Sequence, residues 1–398
     1  VRVANHIKVK QQVFRINTDM QVFRDAVVAA ENIFNPQRYR LLQVYRQVMM
    51  DSHLSSVIAQ RKQLTLSAKY CVYDKAGNEV EEKTKILNQQ WFYEFIDYAL
   101  DSIFYGHSLI QFEDATDFNG ITIFKEVELV PRQYVKPEYS FLGENAYAIP
   151  PNGIYYNESP YNSWCIGVGG KTDLGLLLKL SPLQIWKKNA LGAWAEFIEK
   201  FGSPIRIGKT DSTDLESTQN MEGMLKNMGV AAWGLFKTTD QIELVESRQR
   251  DAFHVFNEMI ERCNSEMSKL ILMQTGTTDE KSFTGSAKVH ERILERVAEA
   301  DKIMMTNIIN RQLLPLMNNL GFKMDGLQVG LDPENEFEFQ EKAAFDIELL
   351  KTGKFTFTPE YLAEKYKTEV VPIIQKVVDN QPDKDLPKYQ NLMKKYYS

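Results

Sequence analysis

The chain has 398 residues, 43% of them hydrophobic and 25% charged, with 47 basic against 53 acidic residues and a net charge of −6. That apolar fraction excludes a disordered chain, the 21 Gly and 14 Pro exclude a fibrous one, and the length suits two or three domains. Three widely spaced cysteines (Cys71, Cys165, Cys263) and five histidines argue against a disulfide scaffold or a zinc ribbon, and fit free thiols in a reducing compartment.

Residues 1–35 read as a mixed, partly irregular basic arm. Residues 1–65 hold ten Lys/Arg and four Asp/Glu, a net of +6, so the remaining 333 carry −12 (−6 minus +6). The opening VRVANHIKVK has no apolar run of a signal peptide and no initiator Met, so the sequence reads as a trimmed chain. Pro36 opens a helical stretch to Leu66 with Leu41, Val44, Val48, Leu54 and Ile58 on one face and a break near Asp51-Ser52. Tyr70–Tyr73 reads as a strand and residues 74–78 as a turn. Thr84 is placed to cap a helix through Phe92, Ile96, Leu100 and Phe104 that Gly106 ends. Four strands are expected between 107 and 160, at 108–113, 121–129, 134–137 and 146–156.

Ser181-Pro182 has the cap-and-proline signature of a helix start, with Trp186, Trp194, Phe197 and Phe201 on one side. A compact α/β insert follows, with strands at 204–209, 232–236 and 241–245 and a helix at 215–228. Two long amphipathic helices, about 250–273 and 284–320, flank the polar loop Thr275-Gly276-Thr277-Thr278-Asp279-Glu280-Lys281-Ser282, and Pro315 is placed to kink the second. A helix over 339–352, a β-like piece at 354–358 and a helix at 359–366 precede a polar tail. No stretch is apolar for long enough to cross a membrane as a helix.

Chemistry-bearing motifs are near misses. Gly170-Lys171-Thr172 matches the end of a phosphate loop, but Cys165 occupies the position of its first glycine. Gly208-Lys209-Thr210 has Ser203 there. Both read better as a glycine-rich turn into a helix and as a strand end. Ser108 lacks the glycines of a nucleophile elbow, and Asp51-Ser52-His53 are neighbours in sequence, whereas triads are assembled by folding. His254 and Glu258 lie four apart with no third metal ligand, and Ser286 and His290 share a helix face. No enzyme, cofactor or metal is expected. A nucleotide-binding enzyme built on 167–172 and a cellular helical scaffold are the competing readings.

Four segments carry a family resemblance. They are Tyr45-Arg46-Gln47-Val48-Met49-Met50-Asp51-Ser52-His53-Leu54 with Val57–Arg61, then Tyr98–Gly106, then Phe201-Gly202-Ser203-Pro204-Ile205-Arg206-Ile207-Gly208-Lys209, and Gly285-Ser286-Ala287 with His290 and the helix to Leu314-Pro315. In this order, over roughly 36–366, they resemble the bacteriophage portal (head–tail connector) family, Mu-type branch. The resemblance implies an α+β fold with a mixed α/β wing, long stem helices, a small α/β clip insertion and a helical C-terminal crown. It assigns 1–35 to the arm, 36–180 to the wing, 181–202 and 248–273 to stem helices and 203–247 to the clip. Residues 274–285 would be a tunnel loop facing DNA (Thr275 to Ser282), 286–335 a long helix returning to the wing, and 336–398 the crown. Clip residues Pro204, Arg206, Lys209, Trp233, Phe236 and Lys237 would dock partners and neighbouring subunits. The implied partners are further copies in a ring of about twelve, non-specific double-stranded DNA, the terminase large subunit, neck or adaptor proteins and the major capsid protein. The implied location is the virion portal vertex, after assembly in the host bacterial cytoplasm.

Overall fold

The computed structural model describes residues 18–118, 120–201, 205–209, 215–227, 241–245, 250–275, 284–332, 336–353, 356–358 and 361–362. The fold is α+β. Two compact units divide the chain, one up to Asp332 and one from Pro333.

Helix α1 (Met20–Ala30) begins where the Asp19 carboxylate accepts the Val22 N–H at 2.8 Å. Phe23, Ala26 and Ala30 recur at helical spacing and are buried against α2 (Arg38–Val48), which turns in Leu41, Val44, Tyr45 and Val48. The segment expected to be an irregular arm therefore contributes a core helix from residue 20 onward; its apolar triplet buries enough surface to fix it. The break expected near Asp51 is present. Asp51 caps α3 (Ser52–Leu66) by accepting the Leu54 N–H at 2.9 Å.

Strand β1 (Tyr70–Tyr73) leads through a turn in which the Asp74 carboxylate accepts the N–H groups of Ala76 and Asn78. The helix expected to start at Thr84 is two helices, α4 (Glu81–Leu87) and α5 (Gln90–Tyr105). Thr84 lies inside α4, buried, where its hydroxyl accepts the Val72 N–H at 3.0 Å and ties the helix to β1. Gly106 ends α5 at φ +81°, and a Cβ there would sit 2.2 Å from the Asp173 carbonyl oxygen, so both conformation and space require glycine.

The strand-rich stretch is more finely divided than its sequence suggests: β2 (His107–Phe112), β3 (Ala115–Phe118), β4 (Ile121–Phe124), β5 (Val127–Leu129), β6 (Val135–Lys136), β7 (Phe141–Gly143), β8 (Gly153–Tyr155) and β9 (Cys165–Gly169). β2 is the centre of an antiparallel sheet of order β5-β2-β9, β3 and β4 form a hairpin, and β6-β7-β8 form a second small sheet. The expected strand 121–129 splits at Lys125-Glu126, where Lys125 donates instead to the Asp114 carbonyl. Of the expected strand 146–156 only the last part pairs, because Pro150 and Pro151 bring no N–H to a ladder. β9 was expected as a turn running into a helix.

Helix α6 (Leu177–Phe201) starts a full turn before the Ser181-Pro182 signal. Pro182 is inside it, and the Ser181 hydroxyl donates to the Leu177 carbonyl at 2.6 Å. Strands β10 (Ile205–Lys209) and β11 (Gln241–Val245) pair antiparallel with α7 (Leu215–Asn227) between them in sequence. The expected strand 232–236 lies outside the described residues. Helix α8 (Arg250–Leu272) and helix α9 (Thr284–Ile308) are the two long helices. Instead of a proline kink alone, α9 passes through a π turn at Ile309–Leu313 before α10 (Leu314–Asn319), because Pro315 offers no N–H to the turn before it. β12 (Gln328–Leu331) returns to pair with β1, and α11 (Glu336–Lys351) belongs to the second unit. Residues 356–358 are not a strand, and most of the expected helix 359–366 lies outside the described residues.

Two large cores hold the first unit together. One packs α5 aromatics against β2, β4 and the α9–α10 region. Phe112–Phe124 and Phe124–Phe322 ring centroids lie 4.8 and 4.7 Å apart, and Met305, Ile309, Leu313 and Met317 fill the far side. The other joins α1, α2, α3, the start of α6 and the end of α8 through Leu41, Val44, Leu54, Leu180, Met267 and Ile271. Each such side chain contributes about 1.5–3 kcal/mol by leaving water. A third, smaller cluster around Leu109, Val130, Leu142 and Trp164 seats the β6-β7-β8 sheet.

Candidate functional site

The polar loop predicted to face a channel begins at the end of α8. Thr275 is half-buried there, while Gly276, Thr277, Thr278, Asp279, Glu280, Lys281 and Ser282 lie outside the described residues. Among the predicted clip residues, Arg206 and Lys209 lie on β10, opposite Leu244 and Gln241 of β11. Pro204, Trp233, Phe236 and Lys237 lie outside the described residues. The two groups belong to separate elements, joined in sequence by α8.

What the structure does describe is the base on which the loop stands. α3 touches both long helices, and three polar anchors tie it and its cap to α6, α8 and α9. At its N-terminus the Asp51 carboxylate, besides capping the helix, pairs with Lys187 of α6 at 2.7 Å, both side chains almost wholly buried. One turn in, His53 Nε2 lies 2.9 Å from the Ser268 hydroxyl and 3.0 Å from the Asn264 carbonyl of α8. Near the C-terminus Arg61 reaches Asp301 of α9 with two donors, Nε at 2.7 Å and an Nη at 2.9 Å, and gives its other Nη to the Ile271 carbonyl of α8 at 3.0 Å. This buried fork fixes the last turn of α8 against α9, two residues before Met273, whose φ is +55°. The direction in which the loop leaves the base is set there.

Asp301 was missed by sequence reasoning, although a signal existed. It falls between Val297 and Met305 at intervals of four on the apolar stripe of α9, so a carboxylate there requires a buried cation. Lys187 is the corresponding case on α6. Asp51 and His53, set aside as a catalytic pair, are instead the anchors of α3.

Away from the base, α6 and α8 run on together as a two-helix stalk. Phe197 and Phe256 meet across it at 5.9 Å. Outside that seam apolar side chains face solvent: Trp186 at 46% exposure, Ile198 at 55% and Val255 at 64%, with Leu191 and Met259. Gly192 adds nothing to pack against, and an exposed mid-helix glycine weakens the helix by about 1 kcal/mol relative to alanine.

Among the described residues the first near-miss motif, 165–172, makes no phosphate cradle. Gly167 and Gly169 belong to β9, and α6 begins only at Leu177, so no helix N-terminus follows Thr172 to receive a phosphate. Arg38 fixes this turn by donating to the carbonyls of Lys171 and Asp173, each at 2.6 Å, and pairs with Glu138. Gly208 and Lys209 sit on β10. Among the described residues no cluster of His, Cys, Asp and Glu could hold a metal ion. The three cysteines are buried and unpaired, and burial pushes the Cys165 thiol up to about 12. His107 is buried on β2 beneath this turn, its ring nitrogens without a hydrogen-bond partner; desolvation, then the charges of Arg38 and Arg132, push its pKa down to about 3. Among the described residues no helix is long and apolar enough to cross a membrane.

A family model described as the portal protein of Mu bacteriophage matches residues 42–368. The portal protein of Escherichia phage Mu is 28% identical over 176 residues, which is 42% of this chain and 33% of that protein, so the match spans about a third of the relative's length. Solved structures share the fold at 10% identity: a chain of the virion of a native gene transfer agent particle, with a TM-score of 0.57 over 87% of this chain and 99% of that one, and a chain of the neck of the native particle computed with C12 symmetry, with a TM-score of 0.54 over the same shares.

Proposed function

The chain belongs to the Mu bacteriophage portal protein family, and we propose from this premise that it is one subunit of a ring-shaped conduit at a capsid vertex, through which the genome is packaged, retained and ejected. The observation that carries the ring is the stalk. The paired helices leave apolar side chains exposed on both, Leu191 and Ile198 of α6 and Val255 and Met259 of α8, and a closed cyclic assembly joins two different surfaces of neighbouring copies at every contact. A ring of twelve is the size we adopt, in line with the C12 symmetry of the similar gene transfer agent neck.

In this reading residues 36–180 with 286–335 are the wing, α6 and α8 the stem, 203–247 the clip, 274–285 the tunnel loop and 336–398 the crown. DNA slides when its phosphates find few fixed cations. A polar loop on an acidic chain suits that, since twelve copies would carry about −72 (12 × −6). The clip, with Arg206 and Lys209 on its hairpin, is where the terminase large subunit and later the neck or adaptor proteins would dock, and the wing is where the major capsid protein would. The role is a structural one, with no catalysis of its own.

Native mass measurement and negative-stain imaging of the purified chain test the proposal. The expected result is a closed ring with a hole near the width of duplex DNA. A monomer persisting at high concentration would overturn it. Deleting residues 276–283 should leave the ring intact and impair DNA retention.

A further inference from the structure

Strand β9 is the outer strand of the β5-β2-β9 sheet, and among the described residues no strand covers its far side. The direction of its free groups follows from the register. Phe112 N–H donates to the Trp164 carbonyl at 2.9 Å, and β2 and β9 stay paired through Ile110–Ile166 and Ser108–Val168. Alternate residues of an antiparallel strand turn their peptide groups to opposite sides. Residues 164, 166 and 168 therefore face β2, and Cys165 and Gly167 present N–H and C=O groups outward, as Gly169, where the strand ends at φ +105°, does its N–H. The same three residues line a cavity of about 410 Å³ whose opposite wall comes from the π turn and α10. Two of the three are glycines, so little side chain stands between the strand and whatever enters. A row of open edge amides beside a cleft is suited to an extended backbone and unsuited to a compact ligand.

We propose that this edge is completed by residues 6–10 of the N-terminal arm of an adjacent copy, added as a further strand. The segment His6-Ile7-Lys8-Val9-Lys10 alternates apolar and cationic residues with period two. Residues 1–17 carry four basic and no acidic side chains, +4, against −10 for the rest of the chain (−6 minus +4), so the arm is drawn to the body of a copy. Residues 6–10 lie eight to twelve positions before Thr18, so an extended arm carries them roughly 26–40 Å from it. The inference rests on the ring reading, which places that neighbour.

Residue-resolved amide hydrogen exchange on the assembled protein tests it, comparing the full chain with a chain lacking residues 1–17 and with Val9→Pro. The arm changes should speed exchange at Cys165, Gly167 and Gly169 at least tenfold and leave Ile166 and Val168, bonded to β2, unchanged. A synthetic peptide of residues 1–17 should restore protection to the deleted chain. Unchanged exchange at the outward three, or acceleration of all five together, overturns the proposal. In a second arm, copies carrying Val9→Cys are mixed with copies carrying Asn162→Cys on the cleft rim and oxidised. A mixed disulfide-linked dimer is expected. A link formed only within one doubly substituted chain overturns the assignment to a neighbour. Native mass of the same samples separates the two readings: rings without the link sink the arm strand alone, and absence of rings sinks the conduit.

Discussion

The base of the long helices and the stalk that grows from it are made of the same two elements, α6 and α8, yet they are satisfied in opposite ways. At the base every charged group of α3 finds its partner inside the chain: Asp51 with Lys187, Arg61 with Asp301 and the Ile271 carbonyl. Ten to fifteen residues further out along the same helices, Phe197 meets Phe256 while Ile198 and Val255 are left to solvent. The base is thus specified by one chain, whereas in the proposed ring the stalk would be half of an interface. Substitutions at the base should register as lost stability of the subunit; substitutions on the stalk should register as lost assembly.

The largest effect is expected at the fork. Arg61→Met leaves the Asp301 carboxylate buried without its cation and should cost about 3–5 kcal/mol in denaturant unfolding, whereas Arg61→Met with Asp301→Leu should recover most of that. Equal losses for the single and double variants would mean that the pair matters only as volume. Next comes Asp51→Ala, which removes a helix cap and strands Lys187; a loss of about 2–4 kcal/mol is expected, and Asp51→Asn, keeping the cap alone, should lose less. His107 supplies a pH test. Its folded pKa of about 3 lies below the unfolded value of about 6.5, so between these values the unfolded chain binds the extra proton and stability falls as pH drops. The group should cost about 2 kcal/mol between pH 7 and pH 5, and His107→Phe should flatten that part of the stability curve. An identical slope in the variant would mean that the histidine titrates alike in the folded and unfolded chain.

How far the sequence foretold each region follows from the same contrast. Helical spacing of apolar residues is a local signal, and it located α2, α3 and α8, the end of α5 and the start of α9 to within a few residues. Tyr70–Tyr73 and the Gly106 cap were equally legible. The α6 start was misplaced because Ser181-Pro182 imitates a cap, while Leu177 and Leu180 bury themselves in a core assembled from distant elements and extend the helix backward. Thr84 was misread for a similar reason: its partner, the Val72 N–H, belongs to β1. The short strands β3, β7 and β9 pair over three to five residues, too few for a periodic pattern. The fork was visible in half, since Arg61 stood out in the family resemblance, but only the folded chain brings Asp301 to it across 240 residues.

The smallest expected effect on the subunit is the one that most sharpens the contrast. Ile198→Asn with Val255→Asn replaces two apolar side chains that are mostly exposed in their own chain, at 55% and 64%. If the stalk is complete in a single subunit, the change is that of an ordinary surface substitution, within about 0.5 kcal/mol of stability and without consequence for mass. If each flank is instead the core of a contact between copies, the subunit should be as stable as before and the ring should not close. Around a cyclic assembly each defect is repeated at every contact, so a penalty of about 1–2 kcal/mol per flank, too small to matter in one chain, is multiplied by the number of subunits. Unfolding of the dilute subunit and native mass at high concentration read these two quantities separately. Rings that form as readily in the double variant would show that the stem closes through its polar residues or not at all.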